Sequence, residues 1–227
     1  MRMPAKIFGV IRQMSIQADY NSSAAMAKHN RGVVFHVSLL YNLLLKHEQR
    51  RPWWSHIEPK LILGALPLQD KNHLDQLVQT EGVKAIVTMN QPVELLPNFL
   101  STPVSPAEWE GVQVVQCFGS TGDFSPPTLV TIERCVEFIH EQVDVQQHTT
   151  YVHCKAGRGR STVVVVAFLI QYRSLTLDEA FQFVKTKRPH VSLHPKQRQI
   201  LHEFSEKYSS SSPAGLTSLQ ENGSPSK

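Results

Sequence analysis

Cysteine is scarce in this sequence: it stands at only three positions, 117, 135 and 154, with no C-x-x-C pair. An odd, sparse set excludes a disulfide scaffold and argues for a reducing compartment. No apolar run reaches the roughly 18–20 residues that a bilayer span needs. Neither charge sign dominates, with 23 Lys and Arg against 19 Asp and Glu, a formal net charge of +4. That excludes an acidic disordered chain, and the surplus is too small to point to nucleic acid. Hydrophobic residues make up 41% of 227, enough for one core, with the shortfall expected in the tails. There is no internal repeat.

The chain divides by composition. Residues 1–32 carry Arg2, Lys6, Arg12, Lys28 and Arg31 against the single acid Asp19. Basic, acid-poor and Ser-rich is the composition of a transit peptide, and equally that of an ordinary disordered N-terminus. Residues 33–52 follow as an apolar unit. Ten of the thirteen residues Val33 to Leu45 are apolar or Tyr, with Lys46, Arg50, Arg51, Trp53 and Trp54 behind them. Such a helix is too short to span, but it suits a membrane interface or a cap on the domain core. Residues 53–208 read as the folded domain. The tail 209–227 has seven serines in nineteen residues and is expected to be disordered.

Within the domain, Leu61 to Leu63, Ala85 to Met89, Val112 to Phe118 and Thr149 to His153 read as short buried strands. Helical patterns alternate with them. Leu74, Leu77 and Val78 follow Asp70 as N-cap and stop at Gly82. Leu129, Ile132, Val136, Ile139 and Val143 recur at helical spacing after Pro126-Pro127. Thr176 with Glu179 makes a capping box, and Leu201, Phe204 and Tyr208 form a last stripe. Thr162 to Tyr172 is rich in valine, yet its length favours a helix buried on all sides. Strand–helix alternation predicts an α/β layer fold.

The chemistry concentrates in one segment. The strand Thr149 to His153 runs into Cys154-Lys155-Ala156-Gly157-Arg158-Gly159-Arg160-Ser161, and the apolar helix follows. A tight loop leading into a helix N-terminus aims backbone N–H groups and partial positive charge at one point. Gly157 and Gly159 permit the backbone angles such a ring requires. Cys154 sits at its mouth, where the thiolate is favoured. Arg160 can hold two phosphate oxygens with its planar fork, and Ser161 is placed to hydrogen-bond the sulfur. Together these describe covalent catalysis on phosphorus. A buried, inert cysteine is the bland alternative, and it is the reading for Cys117 and Cys135.

HCKAGRGRS, residues 153–161, resembles the HC-x5-R-[ST] signature of the cysteine-based protein-tyrosine and dual-specificity phosphatases. The resemblance implies a twisted central sheet flanked by helices, a phosphocysteine intermediate, and neither metal nor cofactor. LLYNLLL, WWSHI, LILGALPL, VTMN and HPKQ, in that order, resemble the mitochondrial phosphatidylglycerophosphatases, over roughly Val33 to Tyr208.

A departing alkoxide needs a proton. Of six aspartates, Asp19 lies in the tail, Asp70, Asp75 and Asp178 start helices, and Asp144 ends one. Asp123 lies in the loop Gly119 to Pro127, 31 residues before Cys154, and the resemblance implies that the acid sits on such a loop. The spacing from Asp123 to the following Pro-Thr-Leu is one residue shorter than the family pattern. The subfamily resembles NEEYE after the TMN strand, where this chain has Asn90-Gln91-Pro92-Val93-Glu94. Glu94 matches as a gating residue, while Gln91 and Val93 depart. Gln197 matches a glutamine implied to place water.

Lys155 and Arg158 add two cations beside Arg160, which favours a strongly anionic substrate over a phosphotyrosine peptide. The expected substrate is phosphatidylglycerol phosphate at a membrane surface, in mitochondria on the matrix side of the inner membrane, with no nucleic-acid partner. The alternatives are a protein-directed dual-specificity phosphatase, a phosphoinositide phosphatase and a silent phosphate-binding module. A metal enzyme is disfavoured, because Pro189 and Pro195 bracket His190 and His194 and prevent a helical ligand pair.

Overall fold

The structure is a computed structural model and describes residues 51–98 and 101–209. The expected tail 1–32, the apolar stretch before Arg51 and the serine-rich tail after Ser209 lie outside the described residues.

Five strands form one sheet: β1 (Trp54–Glu58), β2 (Leu61–Gly64), β3 (Val83–Thr88), β4 (Val115–Phe118) and β5 (Thr149–His153), in the order β1-β2-β5-β3-β4. Only β1 pairs antiparallel; β5 lies parallel between β2 and β3, with Tyr151 opposite both Ile62 and Ile86. Alternate residues serve opposite faces. Val87 and Val152 join the larger core cluster, while Ile86 and Tyr151 join a smaller one with Ile62, Leu77 and Trp109. The chain is therefore the mixed α/β sheet with flanking helices that the sequence pattern predicts.

The helices are α1 (His73–Asp75), α2 (Pro106–Gly111), α3 (Leu129–His140), α4 (Arg160–Arg173), α5 (Leu177–Lys187) and α6 (Pro195–Ser209). α4 is buried at every position from Arg160 to Ile170. Its four valines cost up to about 0.7 kcal/mol each in helix propensity. Burying each of the seven large apolar side chains from Val163 to Ile170 contributes roughly 1.5–3 kcal/mol, so packing wins over propensity. At the start of α5 the Thr176 hydroxyl accepts from Glu179 N, while the Glu179 carboxylate accepts from Thr176 N at 2.9 Å, closing the capping box. Cys117 and Cys135 are core residues with their sulfurs 3.9 Å apart.

Three expectations change. β4 starts at Val115, because Val112 to Val114 still close α2 through bonds back to Glu108 and Trp109, with Gln113 at φ +60°. Asp70 is no N-cap; α1 begins after Asn72 at φ +54° and widens into a π turn over Gln76–Thr80. Asp144 does end a helix as expected, in the π turn Glu141–Val145 that continues α3, where it pairs with Arg173 and His140. Trp53 and Trp54 are tied into the domain, donating to Leu66 O at 3.1 Å and Glu81 Oε1 at 2.9 Å.

Because β2, β3, β4 and β5 run parallel, the loops leaving them emerge at one end of the sheet. Ligands of open α/β sheets bind at that end.

Candidate active site

Three of those loops meet on one arginine. The loop from Cys154 to Gly159 leaves central β5 and enters α4, whose first intrahelical bond joins Val163 N to Gly159 O at 2.9 Å. The loop after β3 tightens into a 3-10 turn, Pro92–Leu95, and brings up Glu94. The loop after β4 brings up Thr121 and Asp123.

Arg160 is almost wholly buried, and Glu94 grips its fork in a bidentate pair, Nη1 to Oε2 at 2.7 Å and Nη2 to Oε1 at 3.0 Å. Nη1 also donates to Thr121 O at 2.8 Å, and Nη2 reaches Asp123 Oδ1 at 3.1 Å. Burial opposes the guanidinium charge, but the bond to Glu94 and the fields of Cys154, Glu94 and Asp123 more than offset it. Glu94 is itself fixed as a cap: its Oε2 accepts from Gln91 N at 2.7 Å. The residue expected as a gate is a buried clasp for Arg160.

Cys154 is buried, and the Ser161 hydroxyl donates to its Sγ at 3.2 Å. Burial pushes the thiol up. The Arg160 charge, the Ser161 hydroxyl and the backbone N–H groups of Ser161 and Arg158 pull it further down, so it rests below its ordinary value. Beside it, burial drives His153 down to about 3, helped by Arg160, and its Nε2 meets Thr88 Oγ1 at 2.9 Å across the sheet. The neighbour of the sulfur is therefore a neutral imidazole.

The loop is braced from behind. Gly157 has φ +63°, and a Cβ there would collide with the carbonyl of Gly64. Arg188, 1% exposed, belongs to no motif that would mark it in the sequence. Its Nε donates to Gly157 O at 2.9 Å, Nη2 to Ala156 O at 3.3 Å, and Nη1 to Pro52 O at 3.0 Å and Ser55 Oγ at 3.2 Å. Burial lowers it to about 10, with Tyr151 and Cys154 opposing the fall. Its hydrogen-bond partners are neutral oxygens, which turns two loop carbonyls toward the brace.

The remaining candidates surround this core. Lys155, also buried, ion-pairs with Asp123 Oδ2, so that carboxylate sits between two cations. Arg158 is half-buried, with Nε on His190 O at 2.9 Å. Gln197 is buried: Oε1 accepts from His194 N at 3.1 Å and Nε2 donates to Ser125 O at 3.2 Å, tying α6 to the Asp123 loop beside Gly159. Ala156 and Gly159 complete the loop. Among the described residues no cluster of His, Cys, Asp or Glu could hold a metal ion. The arrangement can hold a tetrahedral dianion above a nucleophilic sulfur.

A model of the dual specificity phosphatase catalytic domain matches residues 71–207. The chain is 41% identical over 177 residues to the phosphatidylglycerophosphate phosphatase PTPMT2 of Arabidopsis thaliana, covering 76% of this chain and 72% of that protein. It is 37% identical over 176 residues to the human phosphatidylglycerophosphatase and protein-tyrosine phosphatase 1, covering 76% and 84%. Among solved structures it resembles PTPMT1 in complex with PI(5)P, with TM-score 0.63, 34% identity, and coverage of 70% of this chain and 98% of that one. The active form of Tk-PTP is similar at TM-score 0.59 and 28% identity over 69% and 98%.

Proposed function

Since this chain belongs to the dual-specificity phosphatase family and is a cysteine-dependent phosphomonoesterase, we propose that it removes the terminal phosphate of phosphatidylglycerol phosphate, leaving phosphatidylglycerol. The observation that carries the reading is the lowered Cys154 thiol under Arg160 in a loop that holds two further cations, Lys155 and Arg158. A phosphotyrosine needs one guanidinium; a lipid with two phosphates rewards more positive charge. The names of the relatives support the same choice: both carry phosphatidylglycerophosphate phosphatase activity in their names, and the human one adds protein-tyrosine phosphatase.

The thiolate of Cys154 attacks phosphorus in line with the glycerol oxygen. The S–P bond forms as the P–O bond breaks, while Arg160 and the loop N–H groups hold the three outer oxygens. The incoming phosphate takes over the Arg160 donors that Asp123 occupies, and a protonated Asp123 delivers its proton to the departing oxygen. Asp123 then takes a proton from water, which attacks phosphorus, breaks the S–P bond and regenerates the thiolate. Ser161 stabilises the sulfur as it leaves. Gln197, anchored at both ends of its amide beside Gly159, borders the path of that water. Glu94 keeps the Arg160 fork in plane.

The basic, acid-poor stretch 1–32 supports delivery to mitochondria, where an anionic inner-membrane lipid is the substrate on the matrix side. The apolar stretch from Val33 and the cations behind it support contact with that membrane surface. A phosphoinositide phosphatase is the second reading, favoured by the similarity to PTPMT1 in complex with PI(5)P.

The test is a side-by-side assay of the purified protein on phosphatidylglycerol phosphate, phosphoinositides and phosphotyrosine peptides. The expected outcome is a kcat/KM on phosphatidylglycerol phosphate at least about tenfold above the others. A phosphopeptide or a phosphoinositide turned over faster would replace the reading.

A further inference from the structure

The mouth of the site carries exposed apolar side chains that neither the chemistry nor the core uses. Val93 and Leu96 are 40% and 59% exposed, and Phe124 is 62% exposed. Val93 sits on the turn that supplies Glu94, and Leu96 caps its end in extended backbone. Glu94 and Leu95 are buried there, whereas Val93 and Leu96 on either side of them are exposed. Phe124 follows Asp123 on the loop after β4. Arg160 Nη2 touches Glu94 Oε1 and Asp123 Oδ1 together, so the two apolar points flank one guanidinium from two loops.

Phe124 is unusual on a second count. Its φ is +62°, a left-handed conformation that bulky side chains avoid. An aromatic ring held outward in strained backbone is unfavourable for solubility and for the loop alike. The Lys155 ammonium lies 5.8 Å from the ring centroid, so a cation backs the apolar tip. Cations continue around the rim: Arg158 donates to His190 O, and Arg51 is exposed and close enough to His190 to lower its basicity. Apolar tips beside cations match an anionic lipid surface, with acyl chains below and phosphates above.

We propose that Val93, Leu96 and Phe124 form a collar that enters the acyl–headgroup boundary of an anionic membrane and seats the mouth of the site on the bilayer. The proposal rests on the lipid-phosphatase reading and names the surface that reading requires. A terminal phosphate joined to diacylglycerol by one short phosphoglycerol linker cannot rise far from the membrane, so the rim must descend to it. The collar then replaces water around the lipid as its phosphate enters the loop.

The experiment uses the whole chain and vesicles of phosphatidylglycerol in phosphatidylcholine. Phe124→Trp places a fluorophore at the tip, and its emission is read against vesicles whose acyl chains carry bromine. The expected result is quenching beyond that of the wild type; no added quenching would overturn the proposal. In parallel, Val93→Ser with Leu96→Ser, and separately Phe124→Ser, are assayed on phosphatidylglycerol phosphate in vesicles and on a short-chain, monomeric form of the same lipid. Turnover in vesicles is expected to fall about tenfold or more, with turnover of the monomer held within about twofold. Equal losses on both, or no loss on vesicles, would each overturn the proposal. Failure of the wild type on the lipid in both forms would instead overturn the substrate reading, whatever the fluorescence shows.

Discussion

Arg188 Nε lies 2.9 Å from the carbonyl oxygen of Gly157, so a buried cation 31 residues further along the chain holds the back of the phosphate loop. Without that donor the carbonyl would be an orphaned buried acceptor, free to rotate toward the anion and to spoil the ring of N–H groups around it.

Arg188→Met is therefore expected to act on binding as well as on stability. Orphaning the loop carbonyls should cost about 2–4 kcal/mol of stability, read as a lower denaturant midpoint. Vanadate affinity should also drop, and the pH midpoint for alkylation of Cys154 should move up, because a positive charge near the sulfur is gone. A purely structural residue would lower the denaturant midpoint and leave the alkylation profile of the folded protein in place.

Asp123→Asn should separate two leaving groups. An alkyl alcohol needs a proton far more than an aryl alcohol does. Turnover of phosphatidylglycerol phosphate is expected to fall about 10²–10⁴-fold, while nitrophenyl phosphate turnover is largely spared. Equal losses on both substrates would remove Asp123 from the acid role.

Cys154→Ser should abolish both activities. Alkylation of the wild-type thiol should proceed at lower pH than that of an ordinary cysteine, since the donors on Sγ and the Arg160 charge favour the thiolate. Ser161→Ala removes one donor, at 3.2 Å. It is expected to move that profile upward and to slow turnover about tenfold, as for the loss of one hydrogen bond to a charged group.

Acid should unfold the protein through His153. Its folded value is about 3 against an ordinary 6.5, so between those limits the unfolded chain binds the extra proton. Stability is then expected to fall as pH drops below about 6.5, by about 1.4 kcal/mol per unit. His190 is lowered in the same sense and adds to the slope. His153→Gln should flatten the dependence, measured as urea midpoints at several pH values.

What the sequence made legible was local. HCKAGRGRS and the apolar run behind it lie within one strand–loop–helix unit, so spacing alone places Cys154, Arg160 and Ser161 together. The Thr176 capping box is likewise a three-residue relation. Long-range relations were not legible. Arg188 bonds to backbone oxygens, which have no residue signature, across separations of 31 to 136 residues. β1 was missed because Ser55 and His56 interrupt its apolar pattern and only one neighbour pairs with it. Glu94 was found through resemblance, yet its bidentate hold on Arg160 arises only when the loops after β3 and β5 converge.

Gly157 sets a limit on how this site can vary. With the Gly64 carbonyl filling the place of a β-carbon and the Gly157 carbonyl held by Arg188, the loop has no slack behind it. Changes that recharge the rim at Arg158 leave that packing alone, whereas any side chain at 157 would drive the ring of amides off its centre. Substrate preference in this protein can therefore drift through surface charge, while the curvature of the bowl is inherited unchanged.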